Sequence, residues 1–159
     1  MFEAVELRDA GWDVTYIDVR KPPDMGFSLI QGDASSMDLG VEVFDACSST
    51  CVLCHAGLGR YGDDRVERGD VKILANIHRA LKKGAKAAIT FGPVYAFTET
   101  VRRGSTHRIY CLEDAEKIVG AFKILERKIL DIRINGWVYD LNCHNRADAN
   151  YLSMLLEKP

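Results

Sequence analysis

Residues 51–64 read CVLCHAGLGRYGDD, and three chemistries compete for them. Cys51-x-x-Cys54-His55 has the spacing of a covalent haem attachment site. Cys47, Cys51, Cys54 and His55 together offer the ligand types that zinc uses. The run Gly57-Leu58-Gly59-Arg60-Tyr61-Gly62-Asp63 carries polar side chains on a glycine frame, which suits close backbone approach to a ligand. Haem attachment requires export, and the N-terminal MFEAVELRDAGWDV places acids early, without a basic-then-apolar leader. Zinc wants about four converging ligands, and there is no second CxxC. A redox or metal protein therefore ranks last, and no metal is expected. The five cysteines, Cys47, Cys51, Cys54, Cys111 and Cys143, are expected as small, reduced side chains. The stretch is best read as a strand running into a ligand-facing loop at residues 55–63.

The flanking elements must position that loop. Glu3 to Ala10 has the look of a helix end stopped by Gly11. Asp13 to Val19 (DVTYIDV) and Phe27 to Gln31 are rich in strand-forming residues. The first half of Val43 to Leu53 gives a third strand. Asp70 suits a helix cap, and in VKILANIHRALKK the residues Ile73, Leu74, Ile77, Ala80 and Leu81 recur at helical spacing, with Gly84 as terminator. His78 lies on that helix's flank and is expected to be structural. Ala85 to Phe91 is a buried-type strand, Leu112 to Phe122 a further helix, and Ile124 to Ile134 and Tyr151 to Leu156 two more strands. Strands alternating with helices predict an α/β fold with a mostly parallel sheet covered on both faces. No helix pattern separates the last two strands, which predicts that they pair antiparallel. Ligands in such sheets bind at the carboxyl ends of the strands. That selects Asp18, Asp33, residues 48–55 and residues 92–95.

Size and charge narrow the function. The chain has 159 residues, 47% hydrophobic and 28% charged, with a formal net charge of -2. One domain spanning 1–159 with a real core is expected. Nothing points to nucleic acid as a partner, no apolar run is long enough for a bilayer, and the cytoplasm is the expected compartment.

Several pieces, in order, resemble the class I, Rossmann-like methyltransferases that use S-adenosylmethionine. They are Asp18 in YIDVR, the turn Gly32-Asp33-Ala34, the segment Phe44-Asp45-Ala46 to His55, the helix ending NIHRALKKG at Asn76 to Gly84, and the final YLSMLLEKP. More narrowly, a histidine followed by GLGRYGD and then by Thr106-His107-Arg108-Ile109-Tyr110 resembles a family of unknown function within that superfamily. The superfamily's first strand and its E/D-x-G-x-G-x-G loop precede the first helix. This sequence opens inside that helix. The expectation is a domain truncated at its N-terminus relative to the family, its sheet lacking a central strand. A homodimer or a donated strand would cover that edge.

The resemblance implies roles. Asp18 would accept hydrogen bonds from the two ribose hydroxyls of S-adenosylmethionine or S-adenosylhomocysteine; otherwise it is a solvent-facing strand-end acid. Asp33 would accept the adenine amino group with Ala34 supplying a backbone N–H; otherwise Gly-Asp is a turn former. His55 would take a proton from a hydroxyl acceptor, or tie down the glycine loop. Arg60 and Tyr61 would face the acceptor, Arg60 holding a phosphate or carboxylate, or Arg60 would pair with Asp63 or Asp64. Arg102, Arg103, His107 and Arg108 form a basic cluster that would bind an anionic substrate or stay solvated. The function expected is methyl transfer to a small molecule or glycan. The alternative is an inactive methyltransferase fold used as a binding or scaffold module.

Overall fold

The computed structural model describes residues 2–21, 23–94, 101–103, 107–131, 136–138 and 150–159. Cys143, residues 95–100 and 104–106, and the end of the expected strand at 132–134 lie outside them. The elements run α1 (Phe2–Asp9), β1 (Thr15–Asp18), β2 (Ser28–Gln31), β3 (Phe44–Thr50), α2 (Gly69–Ala80), β4 (Leu81–Val94), β5 (Val101–Arg103), β6 (His107–Ile109), α3 (Leu112–Ile118), β7 (Lys123–Asp131), β8 (Gly136–Val138) and β9 (Asn150–Glu157).

Parallel pairing holds in the first four strands. β1 pairs with β2, Asp18 opposite Gln31, and β3 pairs with β4, Ser48 opposite Ala88. The chain then returns antiparallel, β9 lying between β4 and β7, as the missing helix pattern between the last two expected strands requires. Strand order is β3-β4-β9-β7-β8 in the larger sheet and β1-β2 in the smaller. Among the described residues no strand pairing joins the β1-β2 sheet to the larger one. Glu3 of α1 packs on β3, accepting from Ser48 Oγ and, at 2.8 Å, from Thr50 Oγ1.

The core follows from period-two and period-3.6 patterns. Ala85, Ala87, Ile89 and Phe91 alternate into it from β4, and Leu152, Met154 and Leu156 from β9. Ile73, Leu74 and Ile77 face it from α2, with Ala115, Val119 and Phe122 from the α3 segment. Leu156→Ala should therefore cost about 2–5 kcal/mol in urea unfolding. A loss under about 1 kcal/mol would take β9 out of the core.

Two expectations about α2 are corrected. Asp70 is not the cap: Arg68 holds that position in a left-handed conformation, and Asp70 is buried in the first turn. The helix also ends at Ala80, short of Gly84. The carbonyls of Arg79 and Ala80 accept the backbone N–H groups of Glu42 and Val43, and Leu81 goes extended to pair with Phe44. Those contacts from a distant segment satisfy the helix end before its own sequence would stop it. The α3 helix likewise stops at Ile118, although Val119 and Phe122 remain in the core. His78 packs edge-on against Phe122, centroids 4.9 Å apart. No helix among the described residues is long and apolar enough to cross a membrane.

Candidate functional site

The site is built where the loops after β1 and β3 meet. β1 ends at Asp18, and the chain turns at once. Asp18 Oδ1 accepts from the backbone N–H of Arg20 at 2.9 Å and from its Nε at 3.0 Å. Asp18 Oδ2 accepts from Arg20 Nη2 at 2.9 Å and from the Tyr16 hydroxyl at 3.2 Å. Hydrogen bonding from Arg20 outweighs partial burial and holds the Asp18 carboxyl below its ordinary pKa. Burial, then the Asp18 charge, push the Tyr16 hydroxyl up, so it remains a donor.

After β3 the backbone reverses through Cys51, whose φ of 55° is left-handed and sparsely populated for a non-glycine residue. Gly57 (φ 69°) lies against a second segment of chain. Val66 donates its N–H to the Gly57 carbonyl at 3.0 Å, and a Cβ on Gly57 would stand 2.2 Å from the Val66 oxygen. Asp63 shapes the tip, accepting from the N–H groups of Gly59 and Tyr61 at 3.2 and 3.0 Å.

That frame presents His55, Arg60 and Tyr61 together, and β6 adds His107. The His55 and His107 ring centroids are 4.5 Å apart. Arg60 Nη1 is 3.2 Å from His107 Nε2, and 3.1 and 3.4 Å from the two ring nitrogens of His55. The near-equal pair of distances sets the guanidinium against the His55 ring rather than in line with one lone pair. Tyr61 meets His55 edge-on at 5.5 Å. Both Arg60 and Arg20 lie over the Tyr61 ring, 5.1 and 4.8 Å from its centroid, within cation–π range. The Arg20 contact joins the Asp18 strand end to the glycine loop.

Arg108 is placed otherwise than the basic-cluster expectation had it. In β6 alternate residues face opposite ways, so His107 and Arg108 part company. Arg108 is 8% exposed and Asp70 4%. Arg108 Nη1 donates to the Leu53 carbonyl at 2.9 Å, and Nε lies 3.5 Å from Asp70 Oδ2. The backbone N–H of Arg108 donates to the Cys54 carbonyl at 2.6 Å. The fully buried Tyr110 hydroxyl stands 3.0 Å from Asp70 Oδ2 and 3.1 Å from the Leu53 carbonyl. Arg108 is buried and anchors the turn that carries His55. The side chains of Arg102 and Arg103 lie outside the described residues.

Asp33 forms an Asx turn, its Oδ1 accepting from the Ser35 N–H at 2.8 Å. The Ala34 carbonyl accepts from Asn76 of α2 at 2.9 Å. Burial raises the thiol pKa of Cys47 to about 11 and of Cys54 to about 12, and Cys54 packs where Gly92 leaves room. Cys54 is a core group and Cys47 packs half-buried against the core, and thiols so raised are poor nucleophiles. Among the described residues no cluster of three or more His, Cys, Asp or Glu side chains could hold a metal ion. Sequence reasoning missed Arg20, Tyr16 and Tyr110. The one signal was the arginine two residues past a strand-end acid; nothing in the short HRIY stretch marks Tyr110 as buried.

No protein-family model matches the chain, and no curated protein does. Solved structures do. The fold is shared with Burkholderia thailandensis 1,6-didemethyltoxoflavin-N1-methyltransferase, whose structure holds 1,6-didemethyltoxoflavin and S-adenosylhomocysteine (TM-score 0.69, 16% identity, 96% of this chain and 64% of that one). A TehB-like S-adenosylmethionine-dependent methyltransferase from Corynebacterium glutamicum shares it too (TM-score 0.61, 19% identity, 98% and 73%). So does the [4+2]-cyclase SpnF (TM-score 0.58, 16% identity, 84% and 56%). The fold is thus the Rossmann-like α/β fold of the class I methyltransferases. The chain spans just under two thirds of the length of the first of these.

Proposed function

We propose that the chain acts in S-adenosylmethionine-dependent methyl transfer to a small molecule or glycan. The observation that carries this reading is the Arg20–Tyr61 contact at 4.8 Å, which brings a strand-end carboxylate and a polar glycine loop into one site on a methyltransferase fold. Asp18, ionised and at the carboxyl end of a parallel strand, suits a vicinal diol. Asp33 with the Ala34 N–H would meet the adenine edge. S-adenosylmethionine supplies an electrophilic sulfonium methyl for in-line displacement, so the protein's work is chiefly orientation. His55 would take the proton of a hydroxyl acceptor, with Arg60, Tyr61 and His107 holding the acceptor beside it.

Calorimetric titration with S-adenosylhomocysteine tests this. Binding is expected, and Asp18→Ala should weaken it by about tenfold or more, the worth of one to two charge-assisted hydrogen bonds. A folded chain that binds no S-adenosylhomocysteine would sink the reading. One observation favours the second reading, a binding or scaffold module without catalysis: the chain's own donors already surround Asp18. Failure of the titration would turn attention there.

A further inference from the structure

We propose that Arg20 is a displaceable internal ligand of the nucleoside subsite, an inference that rests on the role of Asp18 given above. An ionised carboxylate has about four lone-pair directions. All four are used here, by the Arg20 N–H and Nε on Oδ1 and by Arg20 Nη2 and the Tyr16 hydroxyl on Oδ2. A vicinal diol brings two donors and has to displace two. The Arg20 N–H belongs to the turn that leaves β1, and the Tyr16 hydroxyl is carried on a partly buried strand residue. The Arg20 side chain is 62% exposed, and its two side-chain donors sit side by side in the planar fork that spans both oxygens. Nε and Nη2 are therefore the pair a diol replaces.

The displaced guanidinium has somewhere to go. Its Cζ already lies 4.8 Å from the Tyr61 ring centroid, and that ring touches His55 and Arg60. Diol binding at Asp18 thus releases a cation onto the Tyr61 face of the acceptor cluster. Occupancy of the nucleoside subsite is coupled to the charge presented to the acceptor, and an anionic acceptor gains from nucleoside binding first. Arg20 lowers nucleoside affinity by the strength of its own hold on Asp18.

The test is calorimetric titration of the wild-type chain, Arg20→Met and Arg20→Lys with S-adenosylhomocysteine. Arg20→Met keeps an unbranched stem and removes every donor. Arg20→Lys keeps the charge but cannot span both oxygens. Both should bind more tightly than wild type, the methionine variant by about threefold to fivefold, the range of an exposed bidentate pair. On saturation of the wild type, the Arg20 Nε–H resonance should move to the position of an unpaired guanidinium. Weaker or unchanged binding by Arg20→Met overturns the proposal. So does tightening by Arg20→Met alone, which would mark a charge effect rather than occupancy, or an Nε–H signal that stays put. If none of the three proteins binds, the proposal falls together with the methyltransferase reading. Binding by the wild type without the expected change in the variants overturns only the role of Arg20.

Discussion

Arg108→Ala should destabilise the protein by about 3–5 kcal/mol, the cost of removing one partner from a buried ion pair. Three groups lose a donor at once. Asp70 keeps the Tyr110 hydroxyl, but its Oδ1 already has no hydrogen-bond partner among the described residues. The Leu53 carbonyl is left to share the single Tyr110 proton with Asp70, and the Ala56 carbonyl loses its two longer contacts at 3.4 Å. Burial and the Asp70 charge raise the Tyr110 hydroxyl pKa, so deprotonation offers no relief. Urea unfolding monitored by circular dichroism reads the effect as a lower midpoint at unchanged slope. Arg108→Ala with Asp70→Leu should recover much of the loss, because no lone charge then stays buried. A loss below about 1 kcal/mol for Arg108→Ala would mean that the 53–56 turn is held without the ion pair.

That network also shows where sequence reasoning stops. Ile73, Leu74, Ile77 and Ala80 announced the α2 helix because local periodicity decides which face is buried. Its end was not legible, since Glu42 and Val43, more than thirty residues earlier, take the terminal carbonyls. Asp70 read as a cap by position; in the structure Arg108 and Tyr110, some forty residues later, claim its carboxylate. Arg108 read as one of a basic cluster because charge is visible in a sequence and burial is not. β6 is a three-residue strand paired with β5, too short for a pattern to register. The candidate site was more legible. Asp18 and the glycine loop stand out by residue type, and the structure brings His55, Arg60, Tyr61 and His107 together. What the types could not reveal was that Asp18 is already engaged by a neighbour two residues along.

Gly57→Ala should disrupt the loop itself, more severely than any other glycine change there. The residue sits at φ 69°, where a side chain costs about 1–2 kcal/mol. The new Cβ would also stand 2.2 Å from the Val66 oxygen and 3.1 Å from its carbonyl carbon, and these are backbone atoms that no rotamer change can withdraw. The chain must part there, breaking the Val66 to Gly57 hydrogen bond at 3.0 Å. Gly62 is the matched control. Its φ of 85° is also left-handed, but nothing lies within 4 Å of its added Cβ, so Gly62→Ala should show the backbone cost alone. Gly57→Ala should lose about 3 kcal/mol, near the ceiling set by opening the loop. Separating residues 57 and 66 carries Arg60 and Tyr61 away from His55 and His107, so the Arg20–Tyr61 contact goes as well. Urea unfolding of both variants, with NMR of the histidine rings to report the His55–His107 contact, measures each part. Equal effects of the two substitutions would show that Val66 gives way freely, and that the loop's order does not depend on the approach at Gly57.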